Sequence, residues 1–189
     1  VTLWCREPEV AVQINEEREN RVFLPDIRLS EAIRATNDIG EALGGADMIL
    51  CVVPTQHIRA TFSAVRDSWP RAALVVSAAK GLEIGSGLRP SEIFGLILGV
   101  KPVILSGPSH AMEVARGLPA SVVAASEDEK ACLAVQEALM NERLRIYRNS
   151  DILGVELGGA VKNVIAIAAG ICDGLRLGDN SKAALITRE

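Results

Sequence analysis

Three features of this sequence predict an α/β fold with a doubly wound, mostly parallel sheet, followed by the start of an all-helical segment. Short apolar runs alternate with helical patterns from the first residue to about Asn149. The composition is 49% hydrophobic but only 3% aromatic, so the core is aliphatic, as in parallel sheets covered by helices on both faces. After Tyr147 the strand signal stops, and from Asp151 onward the pattern is helical. The 189 residues amount to one domain or one and a piece, long enough to bury a core.

The elements follow in order. Thr2–Cys5 is a strand, and Glu9–Arg18 and Ile39–Leu43 are helices. Met48–Val53 is an apolar strand that ends at Pro54, and Ile58–Ser68 is the helix after it. Leu74–Ala78 is a buried strand running straight into Lys80, and Pro90–Leu98 is the next helix. Val103–Ser106 is a strand entering a Ser/Gly/Pro turn, and Ala111–Arg116 is a short helix stopped by Gly117, with Pro119 just beyond. Ser121–Ala125, Glu129–Asn141 and Arg143–Tyr147 complete a strand–helix–strand unit. This alternation implies βαβ units, and a domain boundary is expected near Asn149–Ser150.

Bulk properties exclude several classes. Net charge is −4, with no basic tail and no block of like charges, which argues against nucleic acid or a membrane surface as a main partner. Cys5, Cys51, Cys132 and Cys172 contain no CxxC pair and read as small buried hydrophobes in a reducing compartment. His57 and His110 are too few and too far apart for a metal cluster, so no metal is expected. No stretch is expected to reach transmembrane length, no signal peptide is visible, and the expected setting is the cytoplasm. The chain opens on strand-like Val1-Thr2-Leu3-Trp4 with no starter Met and stops at Ile186-Thr187-Arg188-Glu189 within a helical pattern, so both ends are expected to be cut.

Chemistry concentrates at strand ends. In open α/β sheets, ligands bind beyond the carboxyl ends of the strands. The first strand ends in Cys5-Arg6-Glu7. If it is the second strand of a dinucleotide-binding fold, Arg6 stands where an acidic residue selects NAD and an arginine accommodates the 2′-phosphate of NADP. The first strand, a GxGxxG turn and the first helix would then precede Val1. A surface arginine after a strand fits the same residues. Pro54-Thr55-Gln56 lies at the same kind of edge, though a simple strand stop accounts for it. Lys80, followed by Gly81, is placed to meet cofactor or substrate oxygens, or is a solvated loop residue. Gly107 permits close backbone approach, and Ser109 is a plausible helix N-cap beside free N–H groups that favour anions.

The segment Val155–Ile171 is small and apolar except for Lys162-Asn163. Helical side chains lean toward the N-terminus, so Lys162 lies over Gly158 and Gly159, which leave space beneath it. The stripe continues through Ala166 and Ala169. The far stripe, Leu157, Val161, Val164, Ile165, Ala168 and Ile171, suits a core. One face then packs while the other leaves a cleft holding a cation. A lysine snorkelling beside close helix packing fits the same pattern.

Taken together, Leu3–Arg6, Lys80–Glu83, Leu105–Ala111, Gly154–Ala168 and Leu185–Arg188 occur in one order, and the chain closely resembles the bacterial NAD(P)-dependent glycerol-3-phosphate dehydrogenases over essentially its whole length. The resemblance implies a Rossmann-like NAD(P)-binding domain at 1–149, lacking its first βα unit. It also implies the start, at 150–189, of a helical substrate and catalytic domain like that of 6-phosphogluconate dehydrogenase. It implies interconversion of dihydroxyacetone phosphate and sn-glycerol 3-phosphate for glycerophospholipid synthesis. The cofactor would be NADP or NAD, with NADP favoured by Arg6, and the substrate a small phosphorylated molecule. A homodimer is compatible with this plan. Lys162 would be the catalytic acid/base, and Lys80 would touch both cofactor and substrate. Gly107 and Ser109 would contact substrate, with Ala111 and Arg6 on the cofactor. A glycine-rich turn upstream, and an aspartate and an Arg-Asn pair downstream, are missing from the pattern, so the chain alone is expected to bind NADPH weakly and to turn over little.

The chemistry agrees. A ketone reduction needs a proton on oxygen, and a positioned ammonium delivers it. Desolvation and a second cation both favour the neutral amine that the reverse reaction needs, and Lys80 with Lys162 can form such a couple across an interdomain cleft. Two other readings stay open: a nucleotide- or phosphate-binding fragment without catalysis, and a related Rossmann-plus-helical dehydrogenase acting on hydroxyacids or hydroxyacyl thioesters.

Overall fold

Two parallel strands, β1 (Thr2–Trp4) and β4 (Arg34–Thr36), open the fold, with helix α1 (Pro8–Glu17) packed against them. The computed structural model describes residues 1–187. Cys5, Val10, Ala11, Ile14 and Ala35 form the buried cluster of this unit. Between α1 and β4 lies an antiparallel hairpin, β2 (Glu19–Asn20) and β3 (Leu24–Arg28). Neither the hairpin nor β4 was expected. β2 and β4 are too short for a periodic signal, while β3 contains Pro25 and a left-handed Asp26 at φ 63°.

Helix α2 (Ile39–Leu43) is capped by Asp38, whose carboxylate accepts from the amides of Gly40 and Glu41. It leads into a five-stranded sheet of β5 (Met48–Cys51), β6 (Leu74–Ser77), β7 (Val103–Ser106), β8 (Ala120–Ala125) and β9 (Leu144–Asn149), in that spatial order. All its ladders are parallel except β7–β8, as expected of a mostly parallel sheet. Adjacent residues on β6 point to opposite faces. Val75 joins the core under α3 (Thr55–Ser63) and α4 (Pro90–Leu98), with Ile58, Phe62, Ile93 and Phe94. Val76 joins the core under α6 (Glu129–Leu139), with Cys132, Val135 and Ile146. Cores on both faces make the sheet doubly wound. The helix expected at Ile58–Ser68 instead starts at Thr55 and stops at Ser63, and a separate 3-10 turn covers Arg66–Ser68.

The short α5 (Ala111–Ala115) follows β7. After β9, Asp151 caps α7 (Ile152–Gly174), and α8 (Asp179–Thr187) folds back on it. Arg188 and Glu189, which close the last sequence motif, lie outside the described residues. Two expectations about α7 are corrected. With 23 residues it is long and apolar enough to cross a membrane by length and composition. Glu156, Lys162 and Asn163 interrupt the run and hide that in the sequence. Its far stripe is also no core among the described residues: Val164 is 66% and Ile171 55% exposed, because there α7 is covered mainly by the sheet edge and α8.

Candidate functional site

A cavity of about 780 Å³ opens where the carboxyl ends of β6 and β7 meet α7. It is lined by Lys80, Ser106, Gly107, Ser109, Ala111, Gly154, Gly158, Gly159 and Lys162, with His110 and Glu113 at its rim. Five of the six residues singled out in the sequence therefore share one wall-to-wall space. The sixth, Arg6, is outside it. Its side chain is 76% exposed at the end of β1, where it pairs with Glu7.

Lys80 sits three residues past β6, and helix α3 fixes its loop from below. The buried Thr55 hydroxyl donates to the Lys80 carbonyl at 2.9 Å. The Gln56 amide donates to the Leu82 carbonyl at 2.8 Å and its oxygen accepts from the Ile84 amide at 2.8 Å. Arg59 forks onto Glu83 at 2.9 and 2.8 Å, and the Ser86 hydroxyl adds a third donor. These bonds, that of Arg59 first, hold the Glu83 carboxyl down at about 2. Gly81 turns the loop at φ 97°, a region only glycine enters freely. The sequence marks Thr55, Gln56 and Glu83 only by their place at strand ends, and Arg59 carries no signal in it. For the first two the signal was Pro54-Thr55-Gln56 at a strand end, dismissed as a strand stop.

The Lys80 ammonium donates to the Gly107 carbonyl at 2.8 Å. Burial lowers its proton affinity, and the charge of Lys162 lowers it further. Gly107 is required by packing: a Cβ there would sit 2.9 Å from both the Ser121 carbonyl oxygen and the Val122 Cα. Ser109, expected from the sequence as a helix N-cap, does not cap α5. His110 occupies the N-cap position, and the Ser109 hydroxyl reaches back toward the Gly107 carbonyl at 3.4 Å. The hydroxyl-bearing turn Ser106–Ser109 lines the cavity at the sheet edge.

The opposite wall is α7. Gly154 and Gly158, about one turn apart, and Gly159 beside them line the cavity, and Lys162 follows on the same side of the helix, as the sequence periodicity predicts. A Cβ on Gly159 would lie 2.9 Å from the Ser106 hydroxyl and 3.8 Å from Lys80 Cγ, so glycine brings the helix backbone against β7. Lys162 itself is exposed to the cavity. Glu156 on the same helix is buried and accepts hydrogen bonds from Arg89 at 2.8 Å, the Ser91 amide at 2.8 Å and the Ser91 hydroxyl at 2.6 Å. Arg89 and Glu156 lie 67 positions apart, and no sequence pattern links them. Among the described residues, no group of three or more His, Cys, Asp or Glu could hold a metal ion.

Two cations and a hydroxyl-bearing turn around one cavity suit a small anionic molecule. The family model described as the N-terminus of NAD-dependent glycerol-3-phosphate dehydrogenase matches residues 1–132, and the corresponding C-terminus model matches residues 151–189. A glycerol-3-phosphate dehydrogenase [NAD(P)+] of Citrifermentans bemidjiense is 50% identical over 192 residues, covering all of this chain and 57% of that enzyme. One from Rhodospirillum rubrum is 48% identical over all of this chain and 54% of its own length. The crystal structure of glycerol-3-phosphate dehydrogenase from Coxiella burnetii superposes with a TM-score of 0.88 at 38% identity, covering all of this chain and 58% of that one. The chain spans a little over half the length of the relatives it matches.

Proposed function

This chain belongs to the NAD-dependent glycerol-3-phosphate dehydrogenase family, and from that premise we propose that it forms the cofactor-facing part of an NAD(P)-dependent oxidoreductase interconverting dihydroxyacetone phosphate and sn-glycerol 3-phosphate. The observation that carries this reading is the pairing of Lys80 and Lys162 across one cavity at the carboxyl edge of the sheet. The product would feed glycerophospholipid synthesis in the cytoplasm. Residues 1–149 would serve the nucleotide and 150–189 would begin the substrate domain. The α7 helix is read here as an interior helix of that domain and not as a membrane span, because Glu156 ties it to α4 through a buried charge pair.

A nicotinamide dinucleotide fits the residues at two places. The exposed Arg6 guanidinium at the end of β1 suits the adenosine ribose or its 2′-phosphate, which favours NADP. The glycine-lined cavity leaves room for a flat ring beside Lys80 and Ala111. When bound, the cofactor supplies or accepts the hydride. The chain's own residues do the rest. Lys162 Nζ donates a proton to the carbonyl oxygen of the ketone and, as a free amine, removes it from the alcohol in the reverse direction. Lys80 exchanges its bond to the Gly107 carbonyl for oxygens of substrate and cofactor. The Gly107–Ser109 turn contacts the substrate and orients it. Burial first, and then the charge of Lys162, lower the proton affinity of Lys80, so the two amines are electrostatically coupled across the cavity.

The test is Lys162→Met in the full-length enzyme that carries this sequence, which keeps bulk and removes the amine. Expected is a fall in kcat of about 10²–10⁴-fold with cofactor binding retained. Turnover at the wild-type rate overturns the assignment.

A further inference from the structure

We propose that Glu156 is a positioning residue for Lys162: its carboxylate caps the N-terminus of α4 from another helix and so fixes the depth and rotation of α7 against the sheet. The inference rests on Lys162 as the proton donor.

Glu156 is 5% exposed on a helix whose neighbouring side chains are Val155, Leu157 and glycines. A buried carboxylate is costly unless it is paired and hydrogen-bonded. Here it has three donors, all on one short segment of another element. Ser91 is the second residue of α4, and its amide is one of the N–H groups a helix leaves without an internal partner. The positive end of α4 adds to the attraction. Arg89 joins as a counter-ion and is itself held by Glu92 at 3.1 Å. The anchor point is rigid, since Pro90, Ile93, Phe94, Ile97 and Leu98 of α4 are buried.

Among the described residues, Glu156 makes the only side-chain hydrogen bonds from α7 to the sheet and its covering helices. The stretch between it and Lys162, Leu157-Gly158-Gly159-Ala160-Val161, has no polar side chain. At 100° per residue, six positions carry the helix to a different face. Glu156 therefore faces α4 while Lys162 faces the cavity, and the first sets the azimuth of the second.

The experiment compares Glu156→Ala, Glu156→Gln and Ser91→Ala in the full-length enzyme, measuring kcat, the KM for dihydroxyacetone phosphate and the Kd for NADPH by nucleotide fluorescence. Glu156→Ala is expected to lower kcat by about 10–100-fold, the effect of misplacing a reacting group by about 1 Å, with the NADPH Kd unchanged. Glu156→Gln, which preserves shape and most hydrogen bonds, should recover most of that loss. Ser91→Ala should lower kcat about threefold and add nothing to Glu156→Ala, because both act through one contact. A folded Glu156→Ala enzyme with wild-type kcat overturns the proposal. So does a loss in which kcat and NADPH affinity fall together and Glu156→Gln is no better. If Glu156→Ala does not fold, a silent Ser91→Ala together with a silent Glu156→Gln overturns it. Lys162→Met is run alongside. Full turnover by that variant overturns the reaction reading, whereas an inactive Lys162→Met beside a fully active Glu156→Ala overturns only the positioning role.

Discussion

The two lysines of the cavity are held in opposite ways. The Lys80 wall is fixed many times over: Thr55, Gln56 and Arg59 project from successive parts of α3 and take up the carbonyls, amide and carboxylate of the Lys80–Ile84 loop. Its ammonium is then tied to Gly107. The Lys162 wall is a long helix of small residues with one polar tether and one glycine contact, and its own lysine is exposed. Redundant support suits a group that binds and orients charge. A single tether suits a group whose position decides a proton transfer, since small shifts there alter rate more than binding.

Perturbing each wall sharpens the contrast. The largest effect is expected at the tethered side. Gly159→Ala puts a methyl 2.9 Å from the Ser106 hydroxyl, so α7 must move outward or Ser106 must turn. A fall in kcat of about tenfold is expected, with little change in cofactor affinity. Adding Ser106→Ala makes room and should restore most of the rate. A wild-type rate in the single variant would break the comparison. On the clamped side, Thr55→Val leaves the Lys80 carbonyl without its donor. A stability loss of about 1 kcal/mol is expected from denaturant unfolding, with kcat reduced far less than by Gly159→Ala, because Gln56 and Arg59 still hold the loop.

The smallest effect concerns pH. Glu83 titrates at about 2 in the folded chain, below its ordinary value near 4.5. Its stabilising contribution is therefore complete above about pH 4.5 and is lost as pH falls toward 2. Glu83→Gln should flatten that part of the acid-unfolding curve and leave stability at neutral pH only slightly lower, since the pair is partly open to solvent. An equally steep acid limb in the variant would show that Arg59–Glu83 is not part of the clamp.

The same asymmetry explains what the sequence could disclose. Lys80, Gly107, Ser109 and Lys162 were legible because each lies where a periodic run ends or is interrupted, and such junctions fall at the ligand edge of a parallel sheet, whereas Ala111 came only through the family resemblance. The five strands of the main sheet, together with β1, and the helices that cover them were legible for the same reason, through their period. The clamps were not. Arg59 meets Glu83 across 24 positions and Arg89 meets Glu156 across 67, and only the finished packing brings them together. Thr55 looked like the far side of a strand stop because its role is to hold a carbonyl 25 residues away. Arg6, legible as a strand-end arginine, folds away from the cavity onto Glu7. The β2–β3 hairpin stayed hidden because its register shifts between Glu19 and Asn20 and its second strand contains a proline.

The tether has a mechanical consequence. Glu156 divides α7 unequally, with Lys162 about 9 Å along the axis and Gly174 about 27 Å along it. The helix is a lever pivoted at its carboxylate. A tilt of about 5° swings the far end by about 2.4 Å and the lysine by about 0.8 Å. Any push delivered at Gly174 thus reaches the amine geared down about threefold, so coarse movement at one end becomes fine adjustment where a proton changes hands.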